Sequence, residues 1–412
     1  MQIQEILTLI IVITASFAYI NHRFIKWPPT IGIMVLSLVS SILLVLLGNS
    51  NSFLMDKARQ LAASVDFENV LMNFMLSFLL FAGAIHIDGA GLKKERWPII
   101  ILASASTIIS TFIVGGFTYY IFIAFGINVP FIYCLLFGAL ISPTDPIAVL
   151  GILKQAKIPA SLELKISGES LFNDGVAVVI FISIAEVAQS GDFSMLSVTK
   201  LFLQEAVGGL LFGAVLGYLG YWALRSIDDY KVEVLITLAL VTGGYFLAGK
   251  LHISGPLAMV VAGIITGNKV RHDHEGMSAV SRDYLNKFWE LIDEILNAVL
   301  FLLIGLEMLV IKINPVVLMI GGIMIVIVLL ARWVSVTVPV FFMLFRIKFE
   351  RHAVAILTWG GLRGGISVAL ALSLGTHMYK DEFVLITYMI VVFSILVQGL
   401  TIGPLAKRLS NG

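Results

Sequence analysis

Glu169, Ser170, Asn173 and Asp174 sit in the first half of ISGESLFNDGVAVVIFISIAEVAQ, residues 166–189, a stretch otherwise apolar and long enough to cross a bilayer. An ionised carboxylate near the middle of a spanning helix costs about 2.5–3.5 kcal/mol on insertion scales, so it calls for a partner, a wet cavity or a function. At about 100° per residue Ser170 and Asp174 share one stripe, and Glu169 and Asn173 share the adjacent one. One side of this helix is therefore polar and faces protein and an ion path. Carboxylate, hydroxyl and amide oxygens suit hard cations such as sodium, lithium or potassium. A carboxylate in such surroundings binds a proton or a metal cation and gains little from holding both, and exchange follows from that competition.

Two interrupted helices would position these groups. The run FIYCLLFGALISPTDPIAVLGIL has Ser142, Pro143, Thr144, Asp145 and Pro146 at its centre, with two prolines three residues apart. Proline removes a donor and clashes with the preceding turn, so backbone groups are released at membrane depth and need new partners. The run AVAILTWGGLRGGISVALALSLG has Gly360, Gly361, Arg363, Gly364 and Gly365 at its centre. Asp145 can offset exposed half-helix N-termini, and Arg363 can offset exposed C-terminal carbonyls. The plainer alternative for the glycines is that they let helices pack closely.

The chain that must hold them is 59% hydrophobic and 13% charged, against roughly 25% charged in soluble domains, with a mean hydropathy of +0.99. A formal charge of +1 with no dense basic face excludes an electrostatic nucleic-acid binder. The lone cysteine, Cys134, allows no intramolecular disulfide and no metal-ligand spacing. Apolar runs give thirteen candidate spans, beginning near Ile3, Pro28, Asn69, Pro98, Phe131, Ile166, Leu201, Val232, Ile253, Phe288, Pro315, Ala353 and Val384. The KLHISG turn and the long run from Pro315 to Phe345 are the weakest boundaries, and twelve or fourteen spans are the alternatives. The first run lacks a basic leader region and reads as a retained span.

Of the 27 Lys and Arg, nineteen fall in alternate connections and at the C-terminal end, six in the others, and Arg332 and Arg363 within spans. Cytoplasmic segments carry the excess, which predicts an outside N-terminus and an inside C-terminus. The hydrophilic break from Lys269 to Lys287 reads as a solvated cytoplasmic loop, with His272 and His274 as a metal or pH-sensing alternative. The interruptions fall in the fifth and twelfth spans, an odd offset that reverses the direction of crossing. Spans one to six and eight to thirteen then read as inverted repeats, the pattern that places a transport site at the midplane.

SPTDPIAV, GESLFNDGVAVVIF and GGLRGGISVALAL together resemble the bacterial sodium/proton exchangers of the cation:proton antiporter family 1, over essentially the whole chain. The resemblance implies an all-α polytopic fold in the cytoplasmic membrane of a bacterium, with crossed discontinuous helices. It implies an ion-transport core over about 69–190 and 288–405, a dimerisation scaffold over about 1–68 and 200–268, a homodimer and a role in pH homeostasis. No cofactor is implied beyond the transported Na+ and H+. Residue by residue, Asp174 would be the main cation and proton carboxylate, Asn173 its paired asparagine, and Thr144, Asp145 and Ser170 the rest of the site, with Asp174 and Asp145 on Na+. Asn before the essential Asp implies electroneutral exchange. Glu169 would pair with Arg332 structurally, and Arg363 would be the charge at the helix crossing. One departure is that Phe81, Ala82, Gly83 and Ala84 stand where several relatives carry an acid, so one carboxylate ligand is missing.

Further acids read as packing groups or as lining of an access funnel: Glu186, Glu205, Glu233 and Glu290 near span ends, where they can snorkel, and Asp293, Glu294 and Glu307 deeper. Rival readings are a potassium/proton exchanger, a passive cation channel and an intramembrane hydrolase using Asp145 and Asp174 as a carboxylate pair.

Overall fold

The structure is a computed structural model that describes residues 3–47, 52–145, 149–150, 153, 158–191, 195–272, 277–347 and 349–410. Among them the chain is helical throughout, and the only strand-type pairing is an isolated bridge between Asp145 and Leu362. The helices are α1 (Ile3–Ile20), α2 (Pro29–Leu47), α3 (Ser52–Ser64), α4 (Phe67–Ile85), α5 (Gly89–Ala124), α6 (Phe131–Ile141), α7 (Ala160–Ser190) and α8 (Met195–Arg225). They continue with α9 (Tyr230–Lys250), α10 (Gly255–His272), α11 (Ala279–Glu307), α12 (Pro315–Met343), α13 (Ala353–Trp359), α14 (Gly365–Leu372) and α15 (Lys380–Leu409).

Nine of these, α1, α2, α4, α5, α7, α8, α9, α12 and α15, are long and apolar enough to cross a membrane among the described residues. The other four expected spans fall on α6, α10, α11 and the α13–α14 pair, which are shorter or richer in charge. The KLHISG turn separates α9 from α10, with His252 left-handed at φ 52°, and the run from Pro315 is one unbroken helix. One expectation fails. The stretch from Lys269 to Lys287 is helix at each end, because α10 runs on to His272 and α11 starts at Ala279, where Ser278 caps it by accepting from Ser281 N. His274 lies outside the described residues.

Polar caps start several helices, satisfying backbone amides that have no partner within the first turn. Asp88 accepts from Ala90 and Gly91 at α5, Asp229 from Lys231 at α9, and Asn314 from Val316 at α12, where Pro315 takes the first position. Inside the bundle small residues let backbones approach. Gly138 of α6 lies against the Thr111 carbonyl of α5, and Gly267 of α10 against the Ile85 carbonyl of α4, so a β-carbon at either would strike backbone. Ser37 and Ser41 of α2 donate to the Leu302 and Gly305 carbonyls of α11, at 2.8 and 2.9 Å.

Three apolar clusters surround the site. One joins α2, α11, α13 and α15 through Ile31, Met34, Phe301, Leu357 and Val391. A second joins α5, α6, α12 and α15 through Phe122, Phe137, Met324 and Phe383. A third packs α4 and α10 on Trp289 of α11, whose indole donates to Thr237 of α9 at 3.1 Å. Large apolar side chains such as Tyr120, Leu211, Trp222 and Phe342 project outward, as a lipid-facing rim requires.

Candidate cation-binding site

The site forms where two helices stop short of each other. α6 ends at Ile141 and the chain opens over Ser142–Asp145; α13 ends at Trp359 and α14 begins only at Gly365. The two openings are joined directly, since Asp145 N donates to the Leu362 carbonyl at 2.8 Å. Gly364 makes this possible, because a β-carbon there would overlap the Asp145 carboxylate.

Each first half-helix ends on an arginine. Arg363 Nη1 donates to the carbonyls of Ser142 at 2.5 Å and Pro143 at 2.9 Å, at the end of α6. Arg332, from α12, donates through Nη2 to the Leu357 carbonyl near the end of α13 at 3.1 Å. The carbonyls that a broken helix releases are thus held by positive charge, which also complements the negative end of each helix dipole.

α7 crosses beside these breaks and presents different faces to different partners. Ser170 Oγ lies 3.1 Å from Thr144 Oγ1, and Asn173 Nδ2 donates to the same Thr144 oxygen at 2.8 Å. Asn173 Oδ1 also accepts from Thr144 N at 3.4 Å. These three residues are brought together and buried. Asp174 and Asp145 face instead a cavity of about 1010 Å³, whose wall Thr144 also joins. None of the described residues donates a hydrogen bond to Asp174. Away from this face, Glu169 forms a two-pronged ion pair with Arg332, at 2.5 and 3.0 Å, in which both side chains are buried.

His86, Lys94, Ser161 and Arg271, which lie at or near the ends of α4, α5, α7 and α10, also line the cavity and mark its funnel mouth. Glu290, Asp293 and Glu294 of α11 line it, which favours the funnel over packing for this part of the acidic set. Glu307 is buried at the opposite end of α11. Glu233 and Glu205 depart from expectation: they do not snorkel, for Glu233, in the first turn of α9, is fully buried and Glu205 is 8% exposed. Proximity to a helix end does not give a side chain access to solvent when a neighbouring helix covers it.

A cluster at the funnel mouth went unrecognised in the sequence. Lys165, in the second turn of α7, is 1% exposed. It donates to both oxygens of Glu350, each at 3.0 Å, and lies 3.3 Å from Glu95, while Ser161 donates to Glu350 as well. Burial pushes the Glu350 carboxyl up, but these donors outweigh it and hold it below the ordinary glutamate value. The available signal was a lysine one turn before Glu169 on an already polar helix; counted only as a cytoplasmic charge, it carried no hint of its partners.

An all-helical polytopic fold whose two helix breaks meet beside a carboxylate on an open-ended cavity defines a membrane transporter. The chain matches the family model for the sodium/hydrogen exchanger, transmembrane, over residues 11–408, and it belongs to that family. Members of this family are transporters rather than enzymes, which removes the hydrolase reading of Asp145 and Asp174. The chain is 49% identical to the Na+/H+ antiporter NhaP of Pseudomonas aeruginosa, over 99% of this chain and 97% of that one. It is 34% identical to the Na+/H+ antiporter NhaH of Halobacillus dabanensis, over 94% of this chain and 93% of that one. The fold matches the structure of the sodium proton antiporter MjNhaP1 from Methanocaldococcus jannaschii with a TM-score of 0.76 at 19% identity, covering 98% of each chain.

Proposed function

We propose that this protein exchanges Na+, and Li+ in its place, for H+ across the bacterial inner membrane, with cation and proton competing for Asp174. The observation that carries the reading is the placement of Asp174: on the cavity wall with Asp145, beside two bridged helix breaks and without a hydrogen-bond donor among the described residues. An empty, ionised Asp174 is unpaired charge in a low-dielectric barrier, so the empty site moves poorly and the loaded one moves readily. Asp145 and the Thr144 hydroxyl supply further cation oxygens. Ser170 and Asn173 act through Thr144, holding its hydroxyl, and are positioning residues. Glu169 with Arg332 and Arg363 with the α6 carbonyls form the frame.

With Asn173 rather than a second aspartate immediately before Asp174 in the chain, one bound charge replaces another and exchange is electroneutral. The thirteen-span arrangement with inverted repeats, N-terminus outside and C-terminus cytoplasmic, puts the funnel mouth on the cytoplasmic side. The core over 69–190 and 288–405 then moves against a scaffold over 1–68 and 200–268 that pairs two copies, exposing the site alternately. Potassium/proton exchange is the second reading, favoured by the absence of a carboxylate at Phe81–Ala84 that would tighten the site for the smaller ion.

The test is proton movement in proteoliposomes, read with a pH-sensitive dye after pulses of Na+, Li+ and K+, with and without a clamped membrane potential. Na+ and Li+ should each drive proton flux that the clamp leaves unchanged. Flux with K+ alone would establish the second reading, and no cation-driven flux would refute exchange.

A further inference from the structure

Buried hydroxyls in these helices have a default partner, the carbonyl four residues earlier. Thr107, Thr111, Thr118 and Ser183 all take it, at 2.7 to 2.8 Å. Ser367, in the first turn of α14, does not. The carbonyl four residues back belongs to Arg363, which lies in the unwound stretch before α14, so the helix break itself removes the acceptor. Ser367 is 1% exposed and its Oγ has no hydrogen-bond partner among the described residues. Such an orphan hydroxyl bears a desolvation cost that nothing offsets, and the position would be cheaper as alanine unless the oxygen is used. The other orphan hydroxyls among the described residues, those of Ser110, Thr358, Thr387 and Tyr388, lie away from the large cavity, whereas Ser367 lines it together with Gly364, Asp145 and Asp174.

We infer that Ser367 is a further cation-site residue, its Oγ contacting the bound alkali cation or a water that the cation retains. The inference rests on the exchange reading of the same site and extends it to the second broken helix, which otherwise faces the cavity with glycine and isoleucine at 364–366. A hard hydroxyl oxygen suits Na+ and Li+, and it supplies an oxygen that α4 cannot, since its residues on the cavity wall, among them Leu79, Leu80, Ala82 and Gly83, carry no polar side chain.

The experiment measures maximal exchange rate and KM for Na+, Li+ and K+ in proteoliposomes of wild type, Ser367→Ala, Ser367→Thr, Ser367→Cys and Asp174→Asn. Ser367→Ala should raise the Na+ KM about fivefold to tenfold, the size expected for one lost oxygen contact, with maximal rate held within about twofold. Ser367→Thr should restore KM, and Ser367→Cys, similar in volume but with a soft sulfur, should behave as the alanine variant does and carries the test if that variant does not fold. A KM within about twofold of wild type in Ser367→Ala, or a fall in maximal rate alone, would overturn the inference. Full exchange in Asp174→Asn would instead place the working carboxylate elsewhere in the cavity, and no exchange in wild type would overturn the exchange reading, and this inference with it.

Discussion

Two carboxylates five residues apart on α7 are both buried, and they are held in opposite ways. Glu169 meets Arg332 with two hydrogen bonds, and that guanidinium is spent further on the Leu357 carbonyl and on Ser106 at 3.4 Å. Asp174 lies about 140° around the helix, on the wall of the large cavity, with another carboxylate for a neighbour and no donor among the described residues. Burial alone therefore does not tell a structural charge from a working one. What differs is whether the protein has already supplied the countercharge. Where it has, the group frames the fold; where it has not, the countercharge must arrive from solution, as a cation or a proton.

The sharpest way to break this comparison is to neutralise each side in turn. Asp174→Asn should reduce cation-driven proton flux to that of protein-free vesicles, at wild-type yield and thermal stability, since no hydrogen bond to Asp174 is lost. Retained flux would place the working carboxylate elsewhere, with Asp145 and Asp293 next on the cavity wall. Arg332→Ala should do the reverse: it strands Glu169 and releases the end of α13, at a cost of about 3–5 kcal/mol. Its expected signature is a fall in folded yield and in the unfolding temperature in detergent, which Glu169→Gln combined with Arg332→Met should largely restore. A stable Arg332→Ala protein with altered ion affinity alone would put Glu169 in the transport pathway.

Arg363 tests the same distinction one step down. Its Nη1 holds the Ser142 and Pro143 carbonyls, and Nη2 has no hydrogen-bond partner among the described residues. Arg363→Lys keeps the charge but loses the planar fork, so one of the two carbonyls should go unheld, at about 1–3 kcal/mol. The expected result is a folded protein with lower thermal stability and slower exchange, because Thr144 and Asp145 follow directly on the loosened carbonyls. Unchanged exchange with unchanged stability would show that water can replace the guanidinium.

Much of this was legible in the residues. Paired prolines around Thr144 and Asp145, and glycines around Arg363, marked where helices stop, because backbone rules act locally. The polar stripe of α7 was legible for the same reason, since 100° per residue needs no tertiary information. What the sequence could not show was pairing across the bundle. Ser170 and Asn173 converge on Thr144 rather than on the cavity, Glu233 is fully buried rather than snorkelling, and Ser367 loses its acceptor to a break four residues away. Each depends on which helix lies opposite, and a single sequence carries no distance information of that kind. Lys165 is the plainest case, a residue read as a topogenic charge whose role is set by Glu350, 185 positions further along.

Glu350 gives the smallest expected effect and a sign that can be checked. It sits in the connection after α12, partly open to solvent, and joins that connection to the start of α7 through Ser161 and Lys165. Because its carboxyl is held below the ordinary glutamate value in the folded protein, its ionised form stabilises the fold above the unfolded-state value. That stabilisation is complete at neutral pH and is lost as pH falls through the folded-state value. Solvent screening keeps it near 1 kcal/mol at most. Glu350→Gln should therefore lower the unfolding temperature slightly at pH 7, and the gap to wild type should close as pH drops below about 4, where glutamate is protonated in the unfolded chain as well. Exchange should continue with the Na+ KM unchanged, because this cluster supplies its own countercharge and leaves none for the cation to provide. A raised KM in Glu350→Gln would mean that Lys165, released from its partner, competes with Na+ in the funnel, and would move this ion pair from the framing class into the path itself.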